Sequence, residues 1–228
     1  MIDPASIFVG RPIYHGCSPH HNRGMLELVE DRGIGGQYDH VGESSVSTAR
    51  DTVVHHFRTR TNLEWLMWID SDITFSRQDW AYMMEDHDGE LAVCAEYLKK
   101  TQDLSVEVAQ FGLGFARIHR SVFDSLEMLT RENGEPRLLR YRNRIPVGDE
   151  LRMEEITEFH PVGVGLDGRR CHEDHSFWMM VMLARIKIRI ETRTKLGHTG
   201  DYTWWYDKEK MHAARAAQDR NGAPGDLT

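Results

Sequence analysis

The sequence predicts one α/β domain built on a mostly parallel central sheet with a smaller antiparallel portion. Three observations carry that prediction: strand-like and helix-like segments alternate through the first hundred residues, the run WLMWI at 65–69 is apolar at every position, and the stretch from 106 onward turns into short pieces broken by glycine. A strand that is apolar on both faces is what a parallel sheet covered by helices on each side requires. At 228 residues the chain is long enough to bury a full core as one domain. We place that domain over residues 1–206, divided near residue 100, with a C-terminal helix and frayed tail over 207–228.

The elements follow in order. SIFVGRPIYHG (6–16) is a β-rich run ending in glycine, and HHNRGMLELVEDRG (20–33) carries Met25, Leu26, Leu28 and Val29 in a helical pattern closed by Gly33. From Ser47, Ala49, Val53, Val54 and Phe57 fall on one helical face with a serine cap. WLMWI then reads as the second strand, and it ends on Asp70 and Asp72 with Ser71 between them. SRQDWAYMMEDH (76–87) begins with Ser76 and Asp79 in capping-box spacing, and LAVCAEYL (91–98) is a further strand. Residues 106–129 read as strand, glycine break, strand and an amphipathic helix beginning near Ser121. Residues 131–158 read as polar and irregular; PVGVGLDGRRCHED (161–174) reads as a mobile loop feeding a helix. IKIRIET (186–192) alternates as a strand, and KLGHTG follows it as a glycine-flanked loop.

Bulk properties narrow the function classes. A net charge of −8 argues against an all-over electrostatic grip on nucleic acid, although one face can differ from the total. No apolar run approaches the roughly 20 residues that span a bilayer. The segment MIDPASIFVG has no basic region before its apolar patch, so it does not read as a secretory signal. Cys17, Cys94 and Cys171 are odd in number and widely spaced, which suits a reducing compartment and gives neither a disulfide framework nor a zinc site. A cytoplasmic location is the expectation.

Two aspartates flanking one residue arise by chance about once in a chain of this size. Asp86 and Asp88 form the same pattern in a polar turn, where solvated carboxylates explain nothing. Asp70 and Asp72 differ because they close a buried strand, and ligands of open α/β sheets bind outside the carboxyl ends of the strands. Carboxylates there suit a hard cation, Mg²⁺ or Mn²⁺, which takes the rest of its shell from water and substrate phosphates. His198, alone a solvated loop histidine, becomes the best third ligand beside that pair. Glu173 and Asp174 begin a helix. They either complement its dipole or supply a general base from a rigid helix start. Arg50 reads equally as a surface charge or a phosphate contact.

Taken in chain order, STARDTVV, LMWIDSDITFS, FGLGFARIHRSVF, CHEDHSFWMMV and KLGHTG resemble the compact GT-A nucleotide-sugar glycosyltransferases often carried by phages and other viruses, across roughly residues 6 to 203. The resemblance implies a single GT-A-like, Rossmann-like domain with a donor half over about 1–100 and an acceptor half over about 101–206. It implies a UDP-sugar donor met by Arg50, Asp70, Ser71 and Asp72. Mn²⁺ or Mg²⁺ would be held by Asp72 and His198, with Asp70 nearer the ribose and the metal's waters. Asp174 would take the acceptor hydroxyl's proton, with Glu173 beside it, as in inverting members. The chain departs from the family in having Asp51 after Arg50, where Arg-Asn is usual.

The arginines Arg137, Arg140, Arg142 and Arg144 suit phosphates, and Trp204, Trp205 and Tyr206 either stack on a base or sugar or form a packing cluster. A polyanion such as DNA, with a hydroxymethylated pyrimidine as the modified base, is therefore the lead acceptor; a glycan or small molecule is the alternative. Two rivals come from other classes. DSDIT fits a haloacid-dehalogenase-type phosphatase with Asp70 as nucleophile, although that fold places the motif on its first strand. A sugar- or nucleotide-binding protein without turnover would bind donor and be indifferent to Asp174.

Overall fold

In the computed structural model, which describes residues 1–14, 16–87, 89–98, 108–109, 112–131, 133–164, 170–199 and 203–205, strand β1 (Ile7–Ile13) is buried at all seven positions. Helix α1 (Pro19–Arg32) follows, capped by Ser18 and ended by Gly33 in the left-handed conformation. The chain then adds β2 (Gly36–Val41), α2 (Val46–Arg60), β3 (Trp65–Ile69), β4 (Ile73–Thr74), α3 (Arg77–Met83), β5 (Ala92–Ala95), β6 (Tyr97–Leu98), β7 (Val108–Ala109), β8 (Phe115–His119) and α4 (Arg120–Glu127). The rest is β9 (Arg140–Val147), β10 (Glu150–Thr157), β11 (Gly163–Val164), β12 (Arg170–Cys171), α5 (Glu173–Leu183), β13 (Ile188–Glu191), β14 (Gly197–Thr199) and β15 (Thr203–Trp205).

Six strands form the central sheet in the order β13-β5-β8-β3-β1-β2. The pairings β1 with β2, β1 with β3 and β13 with β5 are parallel; only β8 runs against its two neighbours. The fold class is thus the expected one, a mostly parallel α/β sheet with small antiparallel additions. Side chains alternate between two buried layers. Phe8, Leu66, Trp68, Ala116 and Ile118 face one layer with Val53, Val54, Phe57, Phe123, Phe177 and Trp178 from α2, α4 and α5. Ile7, Val9, Trp65, Met67 and Ile69 face the other with Met25, Leu28, Trp80 and Met83 from α1 and α3. WLMWI is apolar throughout because each of its faces meets a helix layer, and truncating a fully buried leucine such as Leu66 to alanine costs about 2–5 kcal/mol.

One glycine sets the depth of α2. A Cβ on Gly10 in β1 would lie 2.4 Å from Val53 Cγ1, so the absence of a side chain lets α2 sit close on the sheet. Arg50 is on the same buried face of α2, three residues before Val53, and that closeness brings it over the ring of Trp68 at 5.3 Å.

Four sequence expectations are corrected. WLMWI is the third strand, because β2 was not foreseen; its GQYDHV carries polar residues and only His40 is buried. The cap of α2 is Ser45, whose Oγ accepts from Thr48 N, and Ser47 lies inside the first turn, donating its hydroxyl to His160 O. Residues 131–158 are not irregular: β9 and β10 pair over eight registered positions as an antiparallel ribbon. KLGHTG contains a strand, β14, rather than a loop. Residues 207–228, Tyr206 and Asp88 lie outside the described residues.

Candidate functional site

The site is built at the carboxyl end of β3. Asp70 N donates to Gly114 O at 2.9 Å, tying the strand end to the residue before β8, and Ile73 N donates back to Asp70 O at 3.0 Å, closing a tight turn through Ser71 and Asp72. The short β4 that leaves this turn pairs with β14, setting His198 opposite Ile73 and Gly197 opposite Thr74. Thr199 N donates to Asp72 O at 2.7 Å. These backbone bonds bring His198, distant by more than a hundred residues, to the aspartate pair: its Nε2 is 3.5 Å from Asp72 Oδ2. Trp204 stands opposite His198 in register on β15.

Arg50 reaches the same place from α2. Its Nη1 and Nη2 donate to Asp70 Oδ1 and Oδ2 at 3.1 and 2.9 Å, a two-pronged hold, and its Nε is 4.0 Å from Glu173 Oε1 at the start of α5. Burial pushes the Asp70 carboxyl above its ordinary range; Arg50 opposes this, and the nearby Asp72 charge adds to it. Asp72, by contrast, is the more open of the two aspartates, its side chain 39% exposed against 21% for Asp70. Asp174 Oδ1 accepts the N–H of the adjacent His175 at 2.7 Å. Helix α5 has no side-chain cap, so two acids in its first turn complement the exposed N–H groups.

Arg50, Asp70, Asp72 and His198, expected at the donor end, come together with Glu173, expected beside the base: Arg50 holds Asp70 and nears Glu173, His198 nears Asp72, and the turn through Ser71 joins the two groups, with Asp174 next to Glu173. Among the described residues no three His, Cys, Asp or Glu side chains are grouped so as to hold a metal ion. Asp72 and His198 offer a carboxylate and an imidazole 3.5 Å apart to Mg²⁺ or Mn²⁺, while each Asp70 oxygen accepts from Arg50 and keeps a further lone pair. Such ions commonly take one or two protein ligands and complete their shell with water and phosphate. The arginines behave differently. Arg140, Arg142 and Arg144 occupy alternate, exposed positions on the outer face of β9, where Arg140 lies 3.4 Å from Glu155 across the ribbon, and Arg137 precedes the ribbon beside a separate cavity. No hydrogen bond or ion pair among the described residues joins them to the Asp70 turn.

Two groups were not foreseen. Asp51, flagged only as a departure from a family pattern, is an acceptor hub. Its Oδ1 takes Phe159 N, His160 N and His160 Nδ1 at 3.0, 3.0 and 2.8 Å, and its Oδ2 takes the Tyr141 hydroxyl at 3.2 Å. The His160 ring stacks on Phe177 at 5.0 Å and meets Trp68 edge-on, so Asp51 fastens the ribbon and α5 to the layer holding Arg50. The second group is Arg11, His21 and Asp39. Arg11 forks onto Asp39 across the β1–β2 register, and its Nη1 is 3.1 Å from His21 Nε2. Arginine can only donate, so His21 Nε2 accepts and its Nδ1–H donates to Ile73 O at 2.8 Å, supporting the strand that presents His198. Burial lowers the His21 pKa, in keeping with this neutral form. The one available signal was a charge inside an apolar strand, Arg11.

The fold and site together define a single-domain α/β protein with a mixed acidic and basic cluster at the carboxyl edge of a mostly parallel sheet. Among solved structures, A197 from STIV is similar, with a TM-score of 0.51 and 13% identity over 85% of this chain and 86% of that one. This likeness shows a shared fold. A glycosyltransferase involved in the glycosylation of the major capsid of PBCV-1 aligns at a TM-score of 0.30 and 13% identity, over 52% of this chain and 62% of that one, too slight a likeness to argue from. No protein-family model and no curated protein matches the sequence.

Proposed function

We propose that the chain is a metal-dependent glycosyltransferase of the GT-A type, moving a sugar from a nucleoside-diphosphate sugar, UDP-sugar as lead donor, to an acceptor hydroxyl. The observation that carries this reading is the convergence of Arg50, Asp70, Asp72, His198 and Glu173 on the carboxyl end of β3. Asp72 and His198 would hold the Mn²⁺ or Mg²⁺, which when bound neutralises charge on the departing diphosphate. Asp70, fixed by Arg50, presents a rigid edge for the ribose and for metal-bound water. Tyr14 and Val41, exposed just past β1 and at the end of β2, offer apolar surface to a nucleobase on the same sheet edge.

The proton of the acceptor hydroxyl passes to a carboxylate. Glu173 faces Arg50, its Oε1 4.0 Å from the guanidinium Nε. Asp174, which among the described residues accepts only the neighbouring N–H, is the group we assign as base, in an inverting displacement. The lead acceptor remains a hydroxymethylated pyrimidine in phage DNA, supported by the row of arginines on the outer face of β9, which recur about every 7 Å along the strand. The phosphatase reading is disfavoured by position: the DSDIT motif closes the third strand, where that fold places it on the first.

A donor screen by mass spectrometry tests the reading, with UDP-, GDP- and TDP-sugars, hydroxymethylated DNA and simple glycans as acceptors, and Mn²⁺ present or chelated. Mn²⁺-dependent release of nucleoside diphosphate, lost in Asp72→Ala, is the expected result. Release of phosphate from a generic phosphomonoester, or donor binding with no turnover under any condition, would each sink it.

A further inference from the structure

Beside α5 lies a cavity of about 650 Å³, within the size range that takes a small organic ligand. Arg50, Asp70, Asp72, Glu173 and His198 are not among its lining residues. Its wall combines three kinds of chemistry. Arg131 and Arg137 stand exposed with no side-chain hydrogen bond or ion pair among the described residues, and they are the charged side chains of the lining. Met179 and Met180 form an apolar floor on α5. Asn133 and Ser176 add an amide and a hydroxyl that can both donate and accept.

We propose that this groove binds a nucleotide unit. Guanidinium groups suit its phosphate, thioethers pack well on an aromatic ring, and an amide matches the donor and acceptor edge of a base. Inorganic phosphate would use only the arginines. An alkyl or prenyl phosphate would use the arginines and the floor and make no use of the Asn133 amide or the Ser176 hydroxyl. A nucleotide uses all three. That the bound nucleotide is the sugar acceptor rests on the transferase reading above; occupancy of the groove does not.

Cys171 supplies the readout, because it lines the groove, is half-buried and is free. Cys17 is also half-buried but lies outside the groove, and serves as the internal control. Alkylation of both by iodoacetamide is followed by peptide mass spectrometry, without donor or metal, in the presence of 5-hydroxymethyl-dCMP, a hydroxymethylated oligonucleotide, inorganic phosphate or farnesyl phosphate. The two nucleotides are expected to slow alkylation at Cys171 and leave Cys17 unchanged. Arg137→Ala is expected to raise the half-protecting concentration about tenfold, the loss of a charge-assisted hydrogen bond, with an unaltered melting temperature. Protection by farnesyl phosphate but not by nucleotides, or by none of the four, overturns the proposal. Protection with no sugar transfer in any assay overturns the transferase reading and leaves the groove assigned.

Discussion

Arg50 holds both carboxylate oxygens of Asp70, at 3.1 and 2.9 Å, from a helix position that is itself only 3% exposed. An ion pair so placed is costly to break, because the partner left behind is a poorly solvated charge. Arg50→Ala should therefore destabilise the fold by about 2–3 kcal/mol, the range for a broken buried pair reduced for the partial exposure of Asp70. Urea denaturation measures this. Arg50→Lys keeps the charge but not the fork, and should fall between the two. An Arg50→Ala protein as stable as the parent would mean that the clamp contributes nothing.

Asp51 should behave as a fastener for the ribbon. Asp51→Ala leaves Phe159 N, His160 N and the Tyr141 hydroxyl without their acceptor, at a cost of about 3 kcal/mol or more for several buried donors. Hydrogen exchange should accelerate across residues 141–160 and stay slow in β1 and β3. Uniform acceleration through the whole chain would show that Asp51 supports the core at large rather than the ribbon.

Asp72 and His198 are partly exposed, at 39% and 16% of their side chains, so replacing Asp72 by alanine should shift the melting temperature the less of the two, with both variants remaining folded. Turnover should drop by about a hundredfold or more in each, and chelation of the metal should have the same effect on the parent protein. Isothermal titration of Mn²⁺ gives an independent check. Undiminished metal binding in both variants would remove these two side chains from the metal site.

Stability should fall as the pH drops from 7 toward 5. Burial holds the pKa values of His21, His40, His56 and His119 below that of a free histidine, so below about pH 6.5 the unfolded chain binds more protons than the folded one. His56 is stacked between Phe8 and Tyr38, with ring centroids 5.9 and 4.3 Å away. His56→Phe keeps the stack and removes the titration, so it should flatten the dependence of urea midpoint on pH in this window. A separate loss is expected at lower pH, where Glu127 protonates. Its hydrogen bond from Arg58 holds its pKa below the ordinary glutamate value, so that contribution persists above the unfolded value and disappears below it. A His56→Phe slope equal to that of the parent would rule out His56 as a contributor.

The sequence by itself determined the class of the fold and the identity of its central strand. WLMWI is apolar on both faces, and Ser76 with Asp79 spells out a capping box that the structure contains in full. These features are local: periodicity and cap spacing are set by residues within a turn or two of one another. The ribbon of β9 and β10 was not legible, since its inward residues reach α2 through Tyr141, Glu154 and their polar partners rather than through an alternating apolar face. GQYDHV hid β2 for the same reason.

What only the tertiary structure decided is how the acids and bases meet. Asp70 and Asp72 were visible as a pair, but that Arg50 claims both oxygens of the first, and that His198 joins the second, follow from the close approach of α2 over Gly10 and from the pairing of β14 with β4. Neither is encoded in a spacing along the chain. A helix seated on a strand and two strands in register bring together residues 20 and more than a hundred positions apart, and the resulting difference in burial is what separates a clamped aspartate from an open one.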